Sequence, residues 1–79
     1  MLASGGDDKI IKLWNIITGK IISNLEGHTG TVLSICLSSN GKTLVSGSED
    51  EYIIVWNVVT GKVIRKIKGG DGWIRSVCL

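Results

Sequence analysis

The sequence predicts an all-β fold built from antiparallel, four-stranded repeats. A 42-residue internal period, short segments rich in Ile and Val, and turn residues recurring at fixed places together predict it. Shifting the chain by 42 residues aligns 2–37 with 44–79, and 16 of the 36 pairs are identical without a gap. The matches include Trp14 with Trp56, Asn15 with Asn57, Thr18-Gly19-Lys20 with Thr60-Gly61-Lys62, and Cys36 with Cys78. A fixed period of this size marks units that cannot bury an apolar face alone and stack on neighbouring copies.

The elements follow in order along one period. Residues 32–37 read as a strand, 43–46 as the next, 52–58 as a third and 62–67 as a fourth, since each is aliphatic and bounded by Gly, Asn, Asp or Thr. None is long enough to be a helix. The links are too short for a crossover, so the strands run antiparallel. Asn40-Gly41 and Thr60-Gly61 are the expected hairpin turns, with glycine supplying positive φ. The periods are 1–37 and 38–79, the second including the hairpin at 38–43, and together they form one partial domain.

Bulk properties narrow the function classes. A chain of 79 residues is the size of one small domain and buries a modest fraction of its surface. With 43% hydrophobic and 20% charged residues and a mean hydropathy of +0.28, it lies far from disordered compositions. Its net charge of +2, with the signs interspersed, gives no field that argues for nucleic acid or an anionic membrane as partner. No apolar run approaches the roughly 18 residues a spanning helix requires, and no signal peptide opens the chain. The expected compartment is therefore the cytoplasm, with the nucleus as alternative. Cys36 and Cys78 sit in strand-like apolar runs and read as small buried thiols. There is no Pro or Phe and only one Tyr beside three Trp, so Ile, Val and Leu must supply most of the packing.

The strings LASGGDDKIIKLWNIITGK and LVSGSEDEYIIVWNVVTGK, with Gly27-His28 ahead of the second and Trp56-Asn57 within it, resemble the WD-repeat family. The resemblance covers essentially the whole chain. It implies antiparallel four-stranded blades of a β-propeller, about two blades here, in a ring that this chain alone does not close. In the family's lettering each period runs through strands b, c, d and then a. Three departures stand out: Asn follows both Trp residues in place of Asp, Gly70 stands where a second His belongs, and SSNG replaces a turn that usually contains Pro.

By the same resemblance, His28, Ser46, Asp50 and Trp56 form a buried hydrogen-bond chain. The chemistry allows it, because an indole N–H donates, a hydroxyl and a neutral imidazole each donate and accept, and a carboxylate accepts. Ser4, Asp8 and Trp14 are the matching trio of the first period, whose His would fall before Met1.

Ser46, His28 and Asp50 also spell a hydrolase triad. That reading ranks low, since a nucleophile must be exposed beside oxyanion donors. Glu49-Asp50-Glu51 reads as a solvated turn rather than a cation cage. Gly69-Gly70-Asp71-Gly72 is followed by no helix and reads as a connecting turn, not a phosphate cradle. Cys36, Cys78 and His28 do not make a zinc site. No metal and no cofactor is expected. Lys62, Arg65, Lys66 and Lys68 read as guards on an open sheet edge.

The expected function is a protein-interaction scaffold and not an enzyme, part of a ring presenting loops to other proteins. The family places the Gly-His loop and the b-to-c turn on one docking face. Carried over, that face presents Thr29, Thr31, Glu49, Glu51, Asp71 and Trp73, with Asp7 and Lys9 from the first period. Trp73 is the expected anchor, although packing beneath a neighbouring blade is an equal alternative. The expected partners are other proteins and further WD repeats of the same or a parent chain. The phase of the ends suits a fragment of a longer ring, the preferred reading. It also suits a self-assembling unit that closes as a homotrimer or homotetramer, residues 73–79 of one copy pairing with 2–5 of the next.

Overall fold

A computed structural model describes residues 2–69, and within them every regular element is a strand. The strands are β1 (Leu2–Ser4), β2 (Ile10–Trp14), β3 (Ile21–Glu26), β4 (Val32–Leu37), β5 (Thr43–Ser48), β6 (Tyr52–Asn57) and β7 (Lys62–Lys68). They form two antiparallel sheets in sequential order, β1-β2-β3 and β4-β5-β6-β7. The all-β, antiparallel architecture is as the sequence predicts. β5 and β7 run slightly longer than expected, because their ladders with β6 extend to Gly47 opposite Ile53 and Lys68 opposite Tyr52.

β4 pairs with β5, Ile35 facing Ser46 and Leu37 facing Leu44. The link 27–31 therefore carries the chain from one sheet to the next, and the break between sheets falls there.

One face of each sheet is stacked on the other. Ile11, Leu13 and Leu25 from the first sheet meet Val32, Leu44, Ile54 and Trp56 from the second, all nearly inaccessible, with Ala3, Ile35, Leu37 and Val58 packed around them. Alternation along each strand puts these side chains on a shared face. Gly5, just after β1, lies against the second sheet, where an added Cβ would lie 2.7 Å from Val32 Cγ1. Beside it, Val32 N–H donates to Gly6 O at 3.2 Å.

The turns explain why Asn serves after each Trp. Asn57 Oδ1 accepts from the N–H groups of Val59 and Thr60 at 3.0 and 3.1 Å, and Asn15 Oδ1 does the same for Ile17 and Thr18 at 2.9 and 3.2 Å. Only an acceptor oxygen is used, and a carboxylate would offer the same atom. Gly19 and Gly61 close these turns with φ of 73° each. The Asn40-Gly41 turn is wider than a two-residue hairpin: only Gly41 has positive φ, at 72°, and Ser38 N–H reaches Thr43 O at 2.7 Å across a four-residue loop.

Cys36 is half-buried rather than buried. It shares a face with Val45, opposite the face that meets the first sheet. Cys78 lies outside the described residues.

Candidate functional site

The strongest cluster of polar groups lies between the sheets at one end of the second. β5 contributes Ser46, β6 contributes Trp56, the 27–31 link contributes His28, and the β5–β6 turn contributes Asp50. Trp56 Nε1 donates to Ser46 Oγ at 2.8 Å. Ser46 Oγ is 2.6 Å from His28 Nε2, and His28 Nδ1 is 2.9 Å from Asp50 Oδ2. The donors are consistent when the Ser46 hydroxyl donates to Nε2 and the Nδ1–H of a neutral ring donates to the carboxylate.

Two glycines let this chain form. At Gly27 a Cβ would lie 2.8 Å from Trp56 Cη2, and at Gly30 it would lie 2.8 Å from the Asp50 amide nitrogen. Side chains at either place would push the His28 loop away from the sheet. The Gly-His pair is thus a packing requirement as well as a hydrogen-bonding one.

Asp50 organises the loops around it. Its Oδ2 also accepts from Thr29 N–H at 2.9 Å and its Oδ1 from Tyr52 N–H at 2.9 Å. Burial pushes its carboxyl up, but the Tyr52, His28 and Thr29 hydrogen bonds and the attraction of the imidazole overrule this and hold it below the ordinary 3.8. The Asp50 side chain is 3% exposed and that of His28 1%. Ser46 is wholly inaccessible, with Trp56 and His28 on its oxygen, so the hydroxyl is not presented to a substrate carbonyl.

The first-period trio is arranged differently. Trp14 Nε1 donates to Ser4 Oγ at 2.9 Å, matching Trp56 and Ser46. Asp8 joins neither. Its Oδ1 accepts from Ile10 N–H at 3.2 Å, and its Oδ2 lies 3.4 Å from Lys12 Nζ. Lys12 occupies the place of Ile54, so a cation stands where the second period has an apolar side chain.

The residues assigned to a docking face divide. Thr29 is exposed, while Thr31, Glu49 and Glu51 are half-buried. They meet at one end of the second sheet, where Glu49 N–H donates to Thr31 O at 3.0 Å. Asp7 and Lys9 are exposed on the β1–β2 turn. That turn reaches the same region through the Gly6 bond to Val32. Asp71 and Trp73 lie outside the described residues.

Three features escape the sequence reading. Ser48 is fully buried, its Oγ accepting from Asp50 N–H at 3.1 Å. Lys9 and Glu51 take positive φ, 66° and 73°, at equivalent places in the two periods. The signal available was position, since each follows an Asp whose side chain accepts from the residue two further on. On β7, Lys66 Nζ lies 4.5 Å from the centre of the Tyr52 ring, so one guard residue also packs on the sheet.

Comparison with known proteins is in keeping with this geometry. The family "WD domain, G-beta repeat" matches residues 1–15 and 19–57, more than half of the chain. Nuclear distribution protein PAC1 of Coprinopsis cinerea is 46% identical over 41 residues, which is 52% of this chain and 9% of that protein. Autophagy-related protein 16 of Arabidopsis thaliana is 43% identical over 42 residues, 53% of this chain and 8% of that protein. Pre-mRNA-splicing factor PRP46 of Eremothecium gossypii is 43% identical over 37 residues, 47% of this chain and 9% of that protein. The chain therefore spans less than a tenth of the length of each of these relatives. WD repeats generally mediate protein–protein interactions. On the family match and the paired antiparallel sheets, this chain belongs to the WD-repeat, or G-beta repeat, family.

Proposed function

We propose that the chain is a non-enzymatic scaffold segment whose loop end, formed by the β1–β2 turn, the 27–31 link and the β5–β6 turn, docks other proteins. One observation carries this reading: Asp50 accepts from Thr29 N–H and Tyr52 N–H while held by His28. The loop bearing Thr29 and Thr31 and the turn bearing Glu49 and Glu51 are thereby locked to each other from below. Fixed backbone with projecting polar side chains lowers the ordering cost of binding. Ser46 and His28, the groups that could do chemistry, are spent inside the frame. The proposed compartment is the cytoplasm or nucleus.

The test is selection of binders from a displayed protein library against the folded chain. Binders should lose at least about tenfold in affinity, about 1.4 kcal/mol, when Thr29, Glu49 and Glu51 are together replaced by Ala. Binders that map instead to the β2–β3 and β6–β7 turns at the opposite end would overturn the reading.

A second reading has its own support. Val45, Ile53, Val55 and Ile67 share the outer face of the second sheet, and by the 42-residue period they correspond to Ala3, Ile11, Leu13 and Leu25, the face of the first sheet that stacks on the second. Such a face suits another sheet of the same kind, which a second copy could bring. Sedimentation would report a discrete trimer or tetramer under this reading, and a monomer would count against it.

A further inference from the structure

The two ends of the molecule differ in charge. Among the described residues every acidic side chain, Asp7, Asp8, Glu26, Glu49, Asp50 and Glu51, stands at the loop end, where Lys9 and Lys68 leave the balance negative. The opposite end, formed by the β2–β3, β4–β5 and β6–β7 turns, carries Lys20, Lys42 and Lys62, all exposed, and no acidic side chain among the described residues. A net charge of +2 averages over this division and conceals it.

The same basic end exposes aliphatic side chains in both periods. Ile17 on the β2–β3 turn is 92% exposed, and Val59, its counterpart on the β6–β7 turn, 76%. Ile22 and Ile64, which fall where the β3 and β7 ladders shift register, are 56% and 57% exposed. The two sheets are covered on opposite faces, because Ile11 and Leu13, which face the second sheet, correspond to Ile53 and Val55 on its far side. A side chain exposed in both periods is therefore exposed whichever face has a neighbour. Ile16 fails that criterion, since its counterpart Val58 packs against the core. Gly61 brings the two hairpins together, for an added Cβ there would lie 3.6 Å from Ser23 Oγ, next to Ile22.

We propose that the β2–β3 and β6–β7 hairpin tips, with Lys20, Lys42 and Lys62, form a peripheral docking site for an anionic lipid bilayer. Such contact draws on two sources, apolar area buried at the acyl boundary and attraction of cations to acidic headgroups, and this end has both. The turns themselves have no need of Ile17 or Val59, since Asn15, Asn57, Gly19 and Gly61 close them. These side chains stand on tips, which enter a headgroup layer without the matching groove that an acidic protein segment requires. Charge also fixes the orientation. The acidic loop end is repelled by the same surface and turns outward, leaving Thr29, Glu49 and Glu51 free for protein partners. One end then holds the membrane and the other a protein.

The test is cosedimentation of the 79-residue chain with vesicles of phosphatidylcholine alone and of phosphatidylcholine and phosphatidylserine in equal parts. The chain should bind the mixed vesicles at least about tenfold more tightly than the neutral ones, and added salt should weaken that binding. Ile17→Ser with Val59→Ser, and separately Lys20→Gln with Lys42→Gln and Lys62→Gln, should each lower the affinity at least about tenfold. All five side chains are exposed, so tryptophan fluorescence of both variants without lipid should match the parent. Alanine at Thr29, Glu49 and Glu51 should leave binding intact or strengthen it. Replacing Arg65, Lys66 and Lys68 by Gln removes as many charges from β7 and should weaken binding less. No binding to the mixed vesicles, equal binding by the Ser variant, or an equal loss on altering β7 would overturn the proposal. So would a turn end that takes up a Glu-rich amphipathic peptide but not the vesicles.

Discussion

His28 bridges the two sides of the loop end: its Nε2 lies 2.6 Å from Ser46 Oγ and its Nδ1 2.9 Å from Asp50 Oδ2. His28→Ala removes both bonds and leaves a buried hydroxyl and a buried carboxylate short of a partner. The expected loss of stability is about 1 to 3 kcal/mol by urea denaturation. An unchanged midpoint would show that the bridge contributes nothing net.

Ser46 and Ser4 make the same bond to a Trp in different surroundings. Ser46→Ala strands the Trp56 indole N–H in a site closed to water, whereas Ser4→Ala leaves the half-buried Trp14 able to reach solvent. Ser46→Ala should cost about 1 to 3 kcal/mol and Ser4→Ala clearly less, in parallel thermal melts. Equal losses would contradict the contrast in burial.

Acid should weaken the loop end through Asp50. Its folded pKa lies below the ordinary 3.8, so the unfolded chain binds the proton more readily and stability rises with pH between the two values. The contribution is complete above the unfolded value and is lost as pH falls through the folded one. Asp50→Asn should therefore destabilise the chain at neutral pH, and its difference from the parent should shrink as pH falls below 3.8, in melts across that range. A difference that stays constant would refute this.

Gly30→Ala places a methyl group 2.8 Å from the Asp50 amide nitrogen and 3.2 Å from the Glu49 carbonyl carbon, both backbone atoms that cannot swing aside. The loop must shift, at a cost of about 1 to 3 kcal/mol. Gly6→Ala meets nothing within 4 Å and serves as the control. Hydrogen exchange at the Thr29 amide should speed up in the first variant and stay unchanged in the second.

The catalytic alternative is open to a direct check. A fluorophosphonate probe should leave Ser46 unlabelled in the folded chain, because its oxygen is wholly buried and already engaged. Stoichiometric labelling, located by mass spectrometry, would restore the hydrolase reading.

Much of the fold was legible in the sequence, because strand existence and turn placement are local. The aliphatic alternation and the Gly and Asn turn chemistry act over a few residues, and they placed the strands at 32–37, 43–46, 52–58 and 62–67 near their observed limits. The family resemblance named His28, Ser46, Asp50 and Trp56, and their donor and acceptor types allow that set to satisfy itself.

The tertiary structure decided what local pattern leaves open. Both faces of the second sheet are apolar, with Leu44, Ile54 and Trp56 on one and Val45, Ile53 and Val55 on the other, so alternation alone does not say which meets the first sheet. Only the fold's long-range contacts bring Asp50 to His28, bury Ser48 and leave Cys36 half-covered. A strand's period is set by its own backbone, but burial and pairing depend on which neighbour lies across the gap, and that neighbour is distant in sequence.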